Sequence, residues 1–145
     1  QSKYTGADGM ERNTRFNGNY IITLITGKDF ISDRKQKTFG VNIKTICAGG
    51  FRNTPIDITA SQQAGYTVYK EKEAYSLQNP AYFRTDLRVS MKWNRRHHTS
   101  TLSLDIQNIT NRLNIFSQYY DEEKNKIGNL YQTGLIPILN YKIEF

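Results

Sequence analysis

The chain has 145 residues, with 20 Lys and Arg against 13 Asp and Glu, a formal net charge of +7. A single cysteine excludes an intramolecular disulfide framework. No apolar run approaches the ~18 residues that a transmembrane helix needs, which leaves strands as the only candidate membrane crossings.

Phe16 to Thr26 reads as a first strand, although Ile21 and Ile25 place apolar groups on the face expected to turn inward, so its register stays open. A connection of moderate length is expected from Lys28 to Lys37. Phe39, Val41 and Ile43 alternate with Gly40, Asn42 and Lys44, which predicts a second strand. Cys47, among Thr45, Ala48 and Gly49, fits there as a small apolar filler. Gly49-Gly50 is a turn signal. From Gly49 to Ala81 runs a segment of about thirty residues rich in Thr, Gln, Tyr and Lys, longer than the connections usual in compact soluble domains.

The strongest alternation runs from Phe83 to Asn94. One face carries Phe83, Thr85, Leu87, Val89, Met91 and Trp93; the other carries Arg84, Asp86, Arg88, Ser90, Lys92 and Asn94. Phe83 and Trp93 sit at opposite tips of the apolar face, where an outer-membrane strand places its interfacial aromatics. Twelve residues at about 3.3 Å each give roughly 40 Å, and a tilt near 45° projects this to roughly 28 Å, enough for an apolar band about 25 Å tall. A short basic turn, Asn94-Arg95-Arg96-His97-His98, leads into the next strand. There Leu102, Leu104 and Ile106 alternate with Thr101, Ser103, Asp105 and Gln107, which completes a hairpin. Leu87, Val89, Met91, Leu102, Leu104 and Ile106 are the expected lipid-facing residues. Arg84, Asp86, Arg88, Lys92 and Asp105 are the expected lumen-facing ones.

Asp86 and Asp105 could suggest paired-carboxylate catalysis, which requires environments that split their pKa values. Neighbouring cations keep both ionised, so they read as rungs of a structural charge ladder with Arg84, Arg88 and Lys92. His97 and His98 are adjacent and point apart in extended chain, a poor geometry for one metal. No nucleophile elbow, phosphate-binding loop or metal spacing occurs, so neither an enzyme nor a cofactor is expected.

The last strand places Leu135, Pro137, Leu139, Tyr141, Ile143 and Phe145 on one face, against Ile136, Ile138, Asn140, Lys142 and Glu144. Apolar alternation ending on an aromatic fits a barrel-closing strand, and an ordinary strand docked in a soluble sheet would also alternate. Connection lengths alternate too. Outer-membrane barrels pair short periplasmic turns with longer outer loops; if Phe145 points to the periplasm, Asn94–Thr99 is expected to be periplasmic and Arg52–Asn79 extracellular.

Three stretches together carry a resemblance: Tyr82-Phe83-Arg84-Thr85-Asp86-Leu87-Arg88-Val89-Ser90, then Ser103-Leu104-Asp105-Ile106-Gln107-Asn108-Ile109-Thr110-Asn111, then Tyr131-Gln132-Thr133-Gly134-Leu135-Ile136-Pro137 running to Phe145. The sequence resembles the C-terminal barrel segment of TonB-dependent outer-membrane receptors, in flavour those of Bacteroidetes. Gly27-Lys28-Asp29-Phe30 and Arg52-Asn53-Thr54-Pro55-Ile56-Asp57 are similar to the same family's preceding strand and loop start.

The resemblance implies an all-β fold: the last five to six strands of an antiparallel up-and-down transmembrane β-barrel of about 22 strands. Residues 1–145 would then be the C-terminal part of that barrel, with the family's plug, TonB box and earlier strands outside them. It implies active nutrient uptake across the cell outer membrane. The implied partners are outer-membrane lipid, the remaining barrel and plug, the TonB complex and the barrel-assembly machinery, which would read Tyr141, Ile143 and Phe145 as its signal. The competing reading is a soluble β-sandwich or lipocalin-like binding module with the long segment as recognition surface. A nucleic-acid binder would need its cations clustered on one face, and here they are spread over turns, loops and strands; no nucleic-acid partner is expected.

Overall fold

The structure, a computed structural model, describes residues 1–145 apart from the side chain of Lys35. In chain order its strands are β1 (Lys3–Thr5), β2 (Glu11–Asn13), β3 (Ile21–Ser32), β4 (Lys37–Ala48), β5 (Arg52–Asn53), β6 (Leu77–Gln78), β7 (Tyr82–Asn94), β8 (Thr99–Gln107), β9 (Ile115–Asp121), β10 (Lys126–Tyr131) and β11 (Ile136–Glu144). One short helix, α1 (Ile58–Ala64), interrupts them. The fold is all-β with antiparallel sheets. The chain divides into two compact units: a sheet unit of Ile22–Ile46, Phe83–Arg112 and Thr133–Phe145, and an insert unit of Gln1–Ile21, Cys47–Tyr82 and Leu113–Gln132.

The sheet unit is a five-stranded meander in the order β11-β8-β7-β4-β3. Its hairpin register follows the alternation: Leu87 lies opposite Ile106, Val89 opposite Leu104 and Met91 opposite Leu102. β11 extends the same rows, with Pro137, Leu139 and Tyr141 opposite Ile106, Leu104 and Leu102. Side chains directly opposite in an antiparallel pair share a face, so the three strands build one continuous apolar surface. On the β4 side of the sheet, the Thr45 and Thr85 hydroxyls meet at 3.2 Å on that face. The sheet is open, with β11 and β3 as edges.

β3 resolves the register left open by the sequence. The Phe30 and Phe39 rings lie 6.1 Å apart, which puts the even-numbered β3 residues on the apolar face. Ile21 and Ile25 therefore fall on the polar side. The strand continues to Ser32, and the connection expected at Lys28–Lys37 shrinks to the 3-10 turn Asp33–Lys35 and Gln36. Gly27-Lys28-Asp29 resembles a break but serves as strand. A side chain on Gly27 would run into the Asn42 carboxamide, so glycine leaves room for the Asn42 side chain to lie over β3.

Both short connections share one end of the sheet, where the Asn94 N–H donates to the Gln36 carbonyl at 2.9 Å. The long connections leave from the other strand ends and supply most of the insert unit. Each is pinched at a neck: the Asn79 N–H donates to Phe51 at 2.9 Å, and the Gln132 N–H donates to Asn114 at 2.8 Å.

Within the insert unit three small antiparallel pairs form, β1–β2, β5–β6 and β9–β10. The Gly49–Ala81 segment, read from the sequence as a patternless loop, is thus partly ordered. Asp57 caps α1 by accepting the Ala60 N–H at 3.0 Å, and Gly65 ends the helix at φ 73°. Buried Ser61 donates to the Asp57 carbonyl at 2.6 Å and accepts the Val68 N–H at 2.9 Å. The buried hydrophobic residues among those described, Ile56 and Tyr120, both belong to this unit. Gly49 is more than a turn residue, because a Cβ there would overlap the Gly18 carbonyl.

Candidate functional site

In the sheet unit the five candidate polar residues share one face, and most are tied into pairs. Arg84 Nε contacts Asp86 Oδ1 at 2.6 Å along β7. Arg88 Nε lies 3.6 Å from Asp105 Oδ1 across the β7–β8 pair, and Arg88 Nη2 donates to Ser103 Oγ at 3.3 Å. Asp105 Oδ2 also accepts Asn140 Nδ2 at 3.0 Å from β11. Lys92 stands apart from these carboxylates, opposite Thr101, whose β11 neighbour is Lys142. The face forms a shallow hollow of ≈ 550 Å³ bordered by Asn42, Lys44, Asp86, Arg88, Asp105 and Asn140. Each carboxylate there has a cation or amide donor, and no nucleophile stands beside it with a base to activate it. These partly exposed pairs fix side-chain geometry and add little stability.

The opposite face carries Leu87, Val89, Met91, Leu102, Leu104 and Ile106 in adjoining rows. It is open: Leu24 is 63% exposed and Leu139 71% exposed. Tyr141 lies on this face and its hydroxyl donates to Ser100 Oγ at 3.3 Å; Ile143 lies opposite Ser100. Phe145 follows the end of β11 and is fully exposed, with its ring 6.3 Å from His98 in the short turn.

Asn108 was part of a motif in the sequence, with no role of its own. It is 3% exposed and ends β8 at φ 51°. Its Oδ1 accepts from the Arg112 N–H at 3.2 Å and the Thr110 hydroxyl at 3.2 Å. Its Nδ2 donates to the carbonyls of Arg112 at 3.0 Å and Thr133 at 3.4 Å. The Asn108 N–H donates to Asp86 Oδ1 at 2.9 Å. Asn111 acts similarly, accepting the Leu135 N–H at 3.0 Å. The Gln107–Asn111 stretch is therefore the knot that binds β7, β8 and the approach to β11.

A pocket of ≈ 370 Å³ lies wholly within the insert unit, and sequence reasoning did not find it. Arg15 and Arg52 line it with Tyr4, Tyr69, Tyr75 and Glu71. Arg15 Nη2 donates to the Phe116 carbonyl at 3.1 Å, and its guanidinium carbon lies 4.5 Å from the Phe116 ring centroid and 6.0 Å from that of Phe51. Arg52 Nε donates to the Asn17 carbonyl at 2.9 Å. The two arginines come from segments far apart in sequence, joined where the Arg52 N–H donates to the Arg15 carbonyl at 2.8 Å. No local motif could reveal that juxtaposition; the Tyr-rich composition of the long segment was the available signal.

Three other cations of this unit, Lys3, Arg12 and Lys124, are paired with Glu11, Asp8 and Asp121. The Arg12 guanidinium and the Met10 N–H hold the Asp8 carboxyl well below its usual range. Lys124 lowers Asp121 in the same way. No group of three or more His, Cys, Asp or Glu side chains converges on a metal position among the described residues. No helix among them is long and apolar enough to cross a membrane. Compared with protein-family models, curated proteins and solved structures, the chain matches none.

Proposed function

We propose that this chain forms part of the wall and extracellular loops of a TonB-dependent outer-membrane receptor, a transporter that takes up nutrients actively and catalyses no bond chemistry. The observation that carries the reading is the two-faced open sheet. One face is a continuous apolar surface left uncovered, with Leu24 63% and Leu139 71% exposed. The other carries the Arg84–Asp86 and Arg88–Asp105 pairs. A soluble sandwich buries its apolar face under a second sheet and alternates polar residues outward. A membrane barrel does the reverse, with lipid against the apolar face and water in the lumen.

An open sheet cannot stand in hydrocarbon, because every unpaired N–H and C=O at its edges costs several kcal/mol. Further strands must therefore pair with the β3 and β11 edges and close the barrel. In that barrel Arg84, Asp86, Arg88, Lys92 and Asp105 line the lumen. The short Asn94–Thr99 turn faces the periplasm, and the Arg52–Asn79 segment is extracellular. The remaining wall and plug, outer-membrane lipid, the TonB complex and the barrel-assembly machinery are the partners this requires, with Tyr141, Ile143 and Phe145 the residues that machinery would read.

Fractionation of the cells that make the protein tests this directly. The chain should sediment with the outer membrane, resist alkaline carbonate and high salt, and be released by detergent. Recovery in a soluble fraction without detergent overturns the proposal and favours a binding module.

A further inference from the structure

We infer that the insert-unit pocket bounded by Arg15, Arg52 and three tyrosines binds a small carboxylate carried on a six-membered sugar ring. The assignment stands on the pocket's own residues, so it survives or fails apart from the membrane reading. The two guanidinium groups are positioned by the main-chain carbonyls of Phe116 and Asn17, with Arg52 Nη2 also reaching Gln78 Oε1 at 3.5 Å, and not by acids. Neither forms an ion pair with a carboxylate among the described residues. Elsewhere in the unit Lys3, Arg12 and Lys124 pair with Glu11, Asp8 and Asp121, while Lys70, Lys72 and Lys126 form no ion pair among the described residues; what sets the two arginines apart is that they line the pocket. Two arginines held in place without an acid leave planar donor edges available, and a carboxylate is the anion that matches such an edge with two parallel hydrogen bonds.

The rest of the lining selects for a ring. Tyr4 and Tyr75 meet edge to face at 6.4 Å, and Tyr69 borders the same pocket. Their rings offer flat apolar surface, while their hydroxyls, with Asn53 and Gln118, offer polar contacts around its rim. The volume of ≈ 370 Å³ falls at the small end of ligand pockets, suited to one or two six-membered rings. Glu71 sets the charge balance. With Arg15 and Arg52 it leaves the pocket at a net formal charge of +1, which favours a single carboxylate over a multiply charged anion.

Isothermal titration of the protein purified from the cells that make it, in a sugar-free detergent such as lauryldimethylamine oxide, tests the inference with three probes. D-glucuronate has ring and carboxylate, D-glucose only the ring, and acetate only the carboxylate. Glucuronate should bind saturably, and glucose and acetate each at least about tenfold more weakly, since each forfeits one set of contacts. Arg52→Lys keeps the charge and loses the planar fork, so glucuronate affinity should fall about tenfold. Glu71→Gln, on an exposed turn, removes a repulsive charge without disturbing a described ion pair, so affinity should rise about threefold. Equal affinity for glucuronate and glucose overturns the inference. So does the absence of saturable glucuronate binding up to about 20 mM. If Arg52→Lys fails to fold, Glu71→Gln decides: unchanged or weaker glucuronate binding rejects the site.

Discussion

Asn108 uses every hydrogen-bonding atom it has: its main-chain N–H on Asp86, its carbonyl on the Asn111 N–H at 2.8 Å, and both side-chain atoms on Thr110, Arg112 and Thr133. It also adopts the left-handed backbone that Asn tolerates better than most residues. Asn108→Ala should cost about 2–3 kcal/mol, because it strands buried carbonyls and keeps the unfavourable backbone. Asn108→Gly relieves the backbone and restores none of the bonds, so it should recover about 1 kcal/mol of that loss. Urea unfolding of both variants in detergent measures the difference, and wild-type stability in either would remove the knot from the account. The sequence displayed this residue inside a motif and could not assign its role. Its donors and acceptors come from Asp86, Arg112 and Thr133, and only the fold brings these together.

At the element scale, period-two alternation was legible wherever a strand has two unlike faces. β7, β8 and β11 carry it in full, and their registers align the rows that the alternation marks. β3 was legible only in part, because Ile21, Ile25 and Ile31 sit on its polar side and blur the pattern. The pairs β1–β2 and β5–β6 were missed because strands of two or three residues carry no periodicity to read, and β9–β10 because adjacent apolar residues, Ile115-Phe116 and Tyr119-Tyr120, erase a two-face pattern. The pocket was missed because Arg15 and Arg52 lie far apart in sequence and only the fold joins them. β11 offers the sharpest test of what its apolar face meets. Leu139→Arg should cost about 2–4 kcal/mol if that face lies against lipid near the midplane, while Asn140→Arg on the opposite face should cost far less. Unfolding from lipid vesicles compares them. Equal tolerance, or higher stability for Leu139→Arg, would mean that water and not lipid covers the face.

At the scale of the whole molecule, the short connections gather at one end of the meander and the long ones at the other. If the proposed orientation holds, trypsin added to intact cells should cut the exposed Lys124–Lys126 turn or Lys70–Lys72 and spare Arg95–Arg96. Mass spectrometry of the released peptides reads the result, and cleavage confined to Arg95–Arg96 reverses the orientation. The necks carry a further consequence. The entropy of closing a loop grows with the logarithm of its length, so distant strands should be slow to find each other. Here the Phe51–Asn79 and Asn114–Gln132 hydrogen bonds hold the two ends of each excursion together. To β4 and β7, or to β8 and β11, the intervening chain then behaves as a few residues rather than dozens. What lies beyond a neck can lengthen, shorten or be exchanged for another sequence at little kinetic cost to the sheet. Such a scaffold is free to diversify what it presents while folding along one unchanged route.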